Sequence, residues 1–340
     1  MKKTICRILL LLLVLSLFLL TGCSLKKQPE VLKSFPKETA PSQVVKTDDR
    51  WVLLNSTYGG DDYTISVGEN LDSLNDIYAA DDVSIWYFEA NETGIVWCEK
   101  TEEFYTYKVY AFETQKVEVL SQVPAAEEYQ PQNVEIFHNT CYYCTIDYQQ
   151  QKVYVRAYDI ESKNTTDVYT AAFVEENQPY GICAEDAYLS FFCTGQITVL
   201  NLENNEIVMD SLLPSVVKRV FCVSYDCKNN TFALYYADAD SEDIGIWKEG
   251  DSEIVSLFTF NENRYAYRDK IECCDGHIYW ITQSNISGMV ADHYLLVDYD
   301  YLNHKPVETT RTFDFCRDED GLHILRFNKK EYTHIDLCQY

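Results

Sequence analysis

The stretch "KVYVRAYDI", Lys152 to Ile160, packs Val, Tyr and Ala into nine residues and ends on an acidic tip. β-Branched and aromatic residues in a short run bounded by polar residues mark a strand. The pattern recurs as "YKVYAFE" (107–113), "QITVLNLE" (196–203), "DIGIWKEG" (243–250), "HYLLVDYD" (293–300) and "YTHIDLC" (332–338). The spacing is roughly 40 to 50 residues, the period of a stacked structural repeat.

Each recurrence has an apolar strand before it, such as "TCYYCTI", "AYLSFFC", "TFALYYA" or "HIYWITQ", and usually one after it, such as "KVEVLSQ" or "SEIVSLF". A further strand upstream, as in "VEIFHN" or "KRVFCVSYD", completes a unit of four. A four-stranded sheet exposes two apolar faces, and stacking such units in a ring covers both. The expected fold is all-β: a β-propeller of four-stranded antiparallel blades over residues 51–340. The mean period gives about six blades, and tighter units would make seven.

Turn residues support hairpin links. Asp275-Gly276, Asp320-Gly321 and Asn204-Asn205 each sit between apolar runs, and all tolerate the positive φ that tight hairpin turns require. The segment "GENLDSLNDIYAADD" (68–82) is the one helix candidate, with a long loop as its alternative. The last unit stops at its third strand, so "WVLLNST" (51–57) or "DYTISVG" (62–68) is expected to close the ring.

The segments "HIYWITQ", "DIGIWKEGDSEIVSL" and "KVYVRAYDIESKNTTDVY" resemble the degenerate repeats of TolB-like propellers of the bacterial envelope. The resemblance covers about residues 80–340 and implies architecture; the same fold hosts binders, scaffolds and hydrolases.

At the N-terminus, Lys2, Lys3 and Arg7 precede an apolar run from Ile8 to Leu20. Those 13 residues reach about 20 Å as a helix, short of the roughly 30 Å hydrocarbon core, so a cleavable export signal over 1–22 fits better than a membrane span. Leu20-Thr21-Gly22-Cys23 resembles the lipobox of bacterial lipoproteins. That resemblance implies cleavage between Gly22 and Cys23, lipidation of the Cys23 thiol and an extracytoplasmic protein anchored to the cell membrane. Residues 23–50 contain Pro29, Pro36 and Pro41 and few large apolar groups, which predicts a flexible tether.

Residues 51–340 carry 19 basic against 50 acidic residues, a charge near −31, while the first 50 residues sit near +5. Such a body lacks the basic face that phosphate neutralisation needs, so nucleic acid is excluded as a partner. Cys6 lies in the signal and Cys23 is the lipid site, which leaves eleven cysteines in the body. An odd count without regular spacing, largely inside apolar runs, reads as buried thiols acting as small hydrophobes.

No G-x-S-x-G, H-E-x-x-H or P-loop pattern occurs. Cys141 and Cys144 lie three apart on a strand and point to opposite faces, so they do not chelate one metal. Cys273, Cys274 and His277 form no better set. Asp238, Asp240, Glu242 and Glu249 alternate as in a calcium loop, but Asp243 stands where the turn glycine belongs. Ser241 to Trp247 is a damaged, single-copy version of an Asp-box. No catalytic residue, metal or cofactor is expected. The 27 Tyr and five Trp beside many carboxylates suit either inter-blade packing or sugar stacking. The expected function is a monomeric, lipid-anchored module that binds a protein or glycan. Its alternative is a glycosidase or lyase with two carboxylates about 5 to 10 Å apart at the channel mouth.

Overall fold

Alternating apolar residues in these short runs leave both faces of each sheet in need of cover, and the chain supplies it by repetition. The structure, a computed structural model, describes residues 29–56, 62–125, 130–174, 180–193, 195–260, 264–284, 294–312, 314–318, 321–328 and 334–339. Within them, strands pair antiparallel into seven four-stranded sheets arranged as the blades of a closed β-propeller.

Blade 1 holds Pro41–Lys46, Trp51–Ser56, Tyr63–Gly68 and Asn75–Ala80; blade 2 Ser84–Ala90, Gly94–Lys100, Phe104–Ala111 and Lys116–Pro124. Blade 3 holds Val134–Phe137, Thr140–Asp147, Lys152–Asp159 and Asn164–Ala172; blade 4 Tyr180–Glu185, Tyr188–Cys193, Gln196–Asn201 and Glu206–Leu212. Blade 5 holds Arg219–Asp226, Thr231–Ala237, Glu242–Trp247 and Val255–Thr259; blade 6 Arg264–Cys274, His277–Ser284, Tyr294–Asp300 and Lys305–Arg311. Blade 7 takes Asp314–Asp318, Gly321–Phe327 and His334–Gln339 from the end of the chain, and its fourth strand, Glu30–Pro36, from the beginning.

Three expectations change here. The recurring polar-tipped segments are the third strands of their blades, and neither segment expected to close the ring does so: "WVLLNST" supplies the second strand of blade 1 and "DYTISVG" the third. Restoring it to that role accounts for the seventh blade. Closure is made by Glu30–Pro36, which pairs with His334–Gln339 from Glu30↔Gln339 to Pro36↔His334. The propeller therefore starts at residue 30, and residues 30–50 of the expected tether belong to blades 7 and 1. Phe35 and Val44 are buried in the core between those blades, while the prolines fall at strand starts and on an outer edge, where no ladder hydrogen bond is lost. The 68–82 segment is a turn followed by the strand Asn75–Ala80, so the helix candidate is not realised.

The core is divided. Seven apolar clusters each lie between two neighbouring blades, from Leu54, Ile65 and Trp97 between blades 1 and 2 to Leu53, Leu325 and Leu337 between blades 7 and 1. Polar stitches cross the same seams. Asp226, 2 % exposed at the end of a blade 5 strand, accepts the Gly276 N–H at 2.8 Å and the Tyr301 hydroxyl at 2.9 Å from blade 6. The Val44 N–H donates to Asp314 across the closing seam at 2.8 Å.

Turn chemistry sets the registers. Asp275 and Gly276 have φ of 50° and 86° and form a two-residue hairpin closing on Cys274↔His277. Asn204-Asn205 instead belongs to a four-residue loop, in which Asn205 takes φ 57° and its N–H bonds the Asn201 carbonyl at 2.8 Å. Gln115 and Lys163 repeat that geometry in blades 2 and 3. Asp at the position before such a loop accepts an N–H three residues on, as Asp147, Asp159, Asp226 and Asp300 do. Two of them, Asp159 and Asp300, are polar tips of the recurring segments.

Candidate functional site

The first strand of every blade lines the channel. Its cavity, about 290 Å³, receives Val45, Glu89, Glu135, Glu185, Cys222, Glu272 and Arg317, one residue from each of the seven innermost strands. Asp186 in the turn after Tyr180–Glu185 also lines it, so the cavity extends toward the face that carries the first-to-second-strand hairpins.

The wall is strongly charged. Arg317 donates to Glu185 at 3.1 Å and lies 3.5 Å from Glu272, an ion-pair distance; Lys270 sits 3.4 Å from Glu272 and donates to the Phe315 carbonyl at 2.8 Å. Asp314 is occupied by the Val44 N–H. Glu89 and Glu135 have no cation in contact among the described residues. Glu89, Glu135, Glu185, Asp186 and Glu272 thus share the cavity with three cations, Lys46, Lys270 and Arg317.

Their proton affinities follow. Burial, with Glu272 and Asp314 nearby and Lys270 opposing, pushes Glu89 up to about 7. Glu135 is raised by burial and by Glu89, against the Ala184 N–H. Burial and Glu272 raise Glu185 to about 8, although Arg317 pulls the other way. The surplus of carboxylates holds Lys270 and Arg317 protonated against the cost of burial. Carboxyl groups raised by burial and by one another in this way mark a candidate functional site.

The sequence candidates are dispersed. Leu20, Thr21, Gly22 and Cys23 lie outside the described residues. Cys141 packs between blades 2 and 3 and Cys144 between blades 3 and 4, on opposite faces of their strand. His277 turns its Nδ1 to Asp298 at 2.7 Å, while Cys273 and Cys274 are buried. Of the calcium-like series, Glu242 accepts the Tyr235 hydroxyl at 2.7 Å, Glu249 bonds Ser211 and Asp238 caps its own turn. Among the described residues no three acidic, Cys or His side chains converge as a metal set. The eleven body cysteines are free thiols, nine of them buried. Of the Ser241 to Trp247 stretch, Glu242–Trp247 is a strand, and the Trp247 indole donates to the Asp251 carbonyl at 3.0 Å. None of the channel carboxylates was singled out from sequence. Their signal was a lone glutamate inside the first apolar strand of successive units, as in "YFEA", "VEIF", "ICAE" and "IECC".

A closed seven-bladed propeller with a charged channel defines a class of architecture. No family model and no curated protein matches the chain. It is similar to a solved structure from a study of two prolyl endopeptidases, at TM-score 0.57 and 9% identity over 89% of this chain and 50% of that one. It therefore spans about half the length of that chain. A structure of the mitotic checkpoint complex superposes at TM-score 0.55 and 10% identity, covering 94% of this chain and 96% of that one. BamB from Moraxella catarrhalis gives TM-score 0.48 and 10% identity over 92% and 100%. The first two likenesses show the fold. Among the described residues, no helix is long and apolar enough to cross a membrane.

Proposed function

We propose that this protein is a monomeric, lipid-anchored, extracytoplasmic β-propeller that binds a protein or glycan partner at the cell envelope, with Cys23 as the lipid site. The observation that carries the binding role is the imbalance in the channel, where Glu89 and Glu135 face no cation of their own. A partner presenting Lys or Arg at the mouth supplies the missing charge. The similarity to a chain of the mitotic checkpoint complex is consistent with a propeller working inside an assembly.

The test is affinity capture from the native envelope with the intact protein and with a Glu89→Gln, Glu135→Gln double variant, coupled to a glycan array. We expect a specific partner, retained at least tenfold less by the double variant, and equal retention by both forms would sink the channel as the binding site. Cys23→Ala should leave the membrane fraction; a variant that stays there removes the lipid anchor from the proposal.

One observation favours the enzyme reading. Glu185, protonated up to about pH 8, stands beside Glu272, which Lys270 and Arg317 hold in ion pairs. An acid next to a carboxylate is the arrangement of glycosidases. If turnover of any polysaccharide is found, Glu185→Gln should lower it at least about a hundredfold.

A further inference from the structure

The outer strand of every blade carries a β-bulge, and the residue that the bulge skips is aliphatic each time. Leu32, Ile77, Leu120, Val168 and Leu257 in that position pack against the cores between blades. Val208 in blade 4 and Val307 in blade 6 are instead about half-exposed. In blade 4, Val199 pairs with Met209 and Leu200 with Ile207, and the broken alternation leaves two successive residues in solvent, Ile207 at 48 % and Val208 at 53 %. Leu212, which ends the strand, is 70 % exposed, and Val216 follows half-exposed in the connection to blade 5.

Single exposed aliphatic residues are ordinary, but these four lie within ten residues along an unpaired edge, since Glu206–Leu212 is the last strand of its sheet. Other outer strands that expose aliphatic residues are blocked against pairing by charge, proline or shortness. Lys33 and Pro36 do this beside Val31, Lys116 and Pro124 bracket Val117 and Val119, and Val307 follows Lys305 and Pro306. The five-residue strand Val255–Thr259 exposes Val255 alone. Blade 4 has none of these devices: residues 203–217 contain no Lys, Arg or His, and their one proline, Pro214, comes after the strand. They do contain Glu203, Glu206 and Asp210, all exposed.

Open backbone groups, aliphatic side chains beside them and acidic side chains among those suit an occupant that is extended, apolar on alternate residues and basic on the others. From this we infer that the outer edge of blade 4 docks such a segment of a partner protein, which adds a fifth strand to the sheet by pairing with Glu206–Leu212. Its aliphatic residues cover Ile207, Val208 and Leu212, and its Lys or Arg residues answer Glu206 and Asp210. A second copy of this chain does not meet the requirement, because antiparallel self-pairing about Val208 sets Glu206 against Asp210 twice. The surface is separate from the channel, which the first strands line at the opposite edge of each sheet.

The experiment is fluorescence anisotropy of a labelled, end-capped seven-residue peptide alternating Lys and Val, titrated with the full chain in non-ionic detergent at physiological ionic strength. The peptide should bind saturably. Val208→Lys should weaken it at least about tenfold and Leu212→Ser, which adds no charge, at least about threefold, both melting near the parent temperature. Val119→Lys, the same change on the outer strand of blade 2, should leave the affinity as it is. The proposal is overturned if no saturable binding occurs, or if Val208→Lys or Leu212→Ser binds as well as the parent. It is equally overturned if Val119→Lys weakens binding as much as Val208→Lys, which would mean attraction by overall charge. Equal binding of a peptide with Pro at its centre would overturn strand addition, and equal binding of the Glu and Val counterpart would overturn the charge requirement. Dimers in sedimentation that Val208→Lys dissolves would put a second copy on the edge and overturn the choice of partner.

Discussion

Glu89 and Glu185 hold protons that surface carboxylates have lost by neutral pH, and this couples the ring's stability to pH. Their folded values, about 7 and 8, stand above the ordinary 4.5, so between pH 4.5 and 8 the folded chain binds more protons than the unfolded one. Their contribution is therefore fully present below about 4.5 and is lost as pH rises through 7 to 8. Urea melts should give a lower unfolding free energy at pH 8.5 than at pH 5.5, by an amount on the order of a few kcal/mol, and a correspondingly lower midpoint. A midpoint that rises with pH over this range would contradict the raised values. Asp226 works in the opposite window: burial opposes its ionisation, but hydrogen bonds from Asn229, Gly276 and Tyr301 outweigh it and keep the carboxyl below its usual range. Its stabilisation holds at neutral pH and disappears as acid protonates it, so the propeller is weakened at both ends of the scale.

At the scale of elements, the hairpins determine how well the repeat can be read. Gly276 takes φ 86°, and a Cβ there would lie 2.5 Å from Leu302 Cδ1, so Gly276→Ala should cost at least about 1 kcal/mol. Chemical denaturation checks it, and an unchanged midpoint would mean that the turn relaxes freely. The third strands of blades 3, 4 and 6 were the most legible, because Asp159, Asn201 and Asp300 at their ends cap the loops after them. The third strand of blade 1, Tyr63–Gly68, ends on Gly68 without such a cap. Glu30–Pro36 was illegible for a different reason. An outer strand pairs on one side only and tolerates the Lys33 and Pro36 that make a sequence look like linker. The channel glutamates could not be grouped from sequence because they lie 46 to 183 residues apart, and only closure of the ring brings them together.

For the whole molecule, closure is the step on which the seven inter-blade cores depend. Residues 30–36 pair with 334–339, the longest sequence separation in the fold, and the entropic cost of joining them is met by one strand of backbone bonds and the blade 7 to blade 1 cluster. Deleting residues 30–36 should leave His334–Gln339 as an open edge. The variant is expected to melt at a lower temperature and to associate, as read by calorimetry and light scattering; a monomer that melts like the parent would show that closure contributes little. The same pairing has a mechanical side. Any pull transmitted through the residues before Glu30 falls first on the Glu30↔Gln339 pair and peels the strand one rung at a time. The latch of the ring is thus also its tear strip, the place where force on the N-terminus would open the disc.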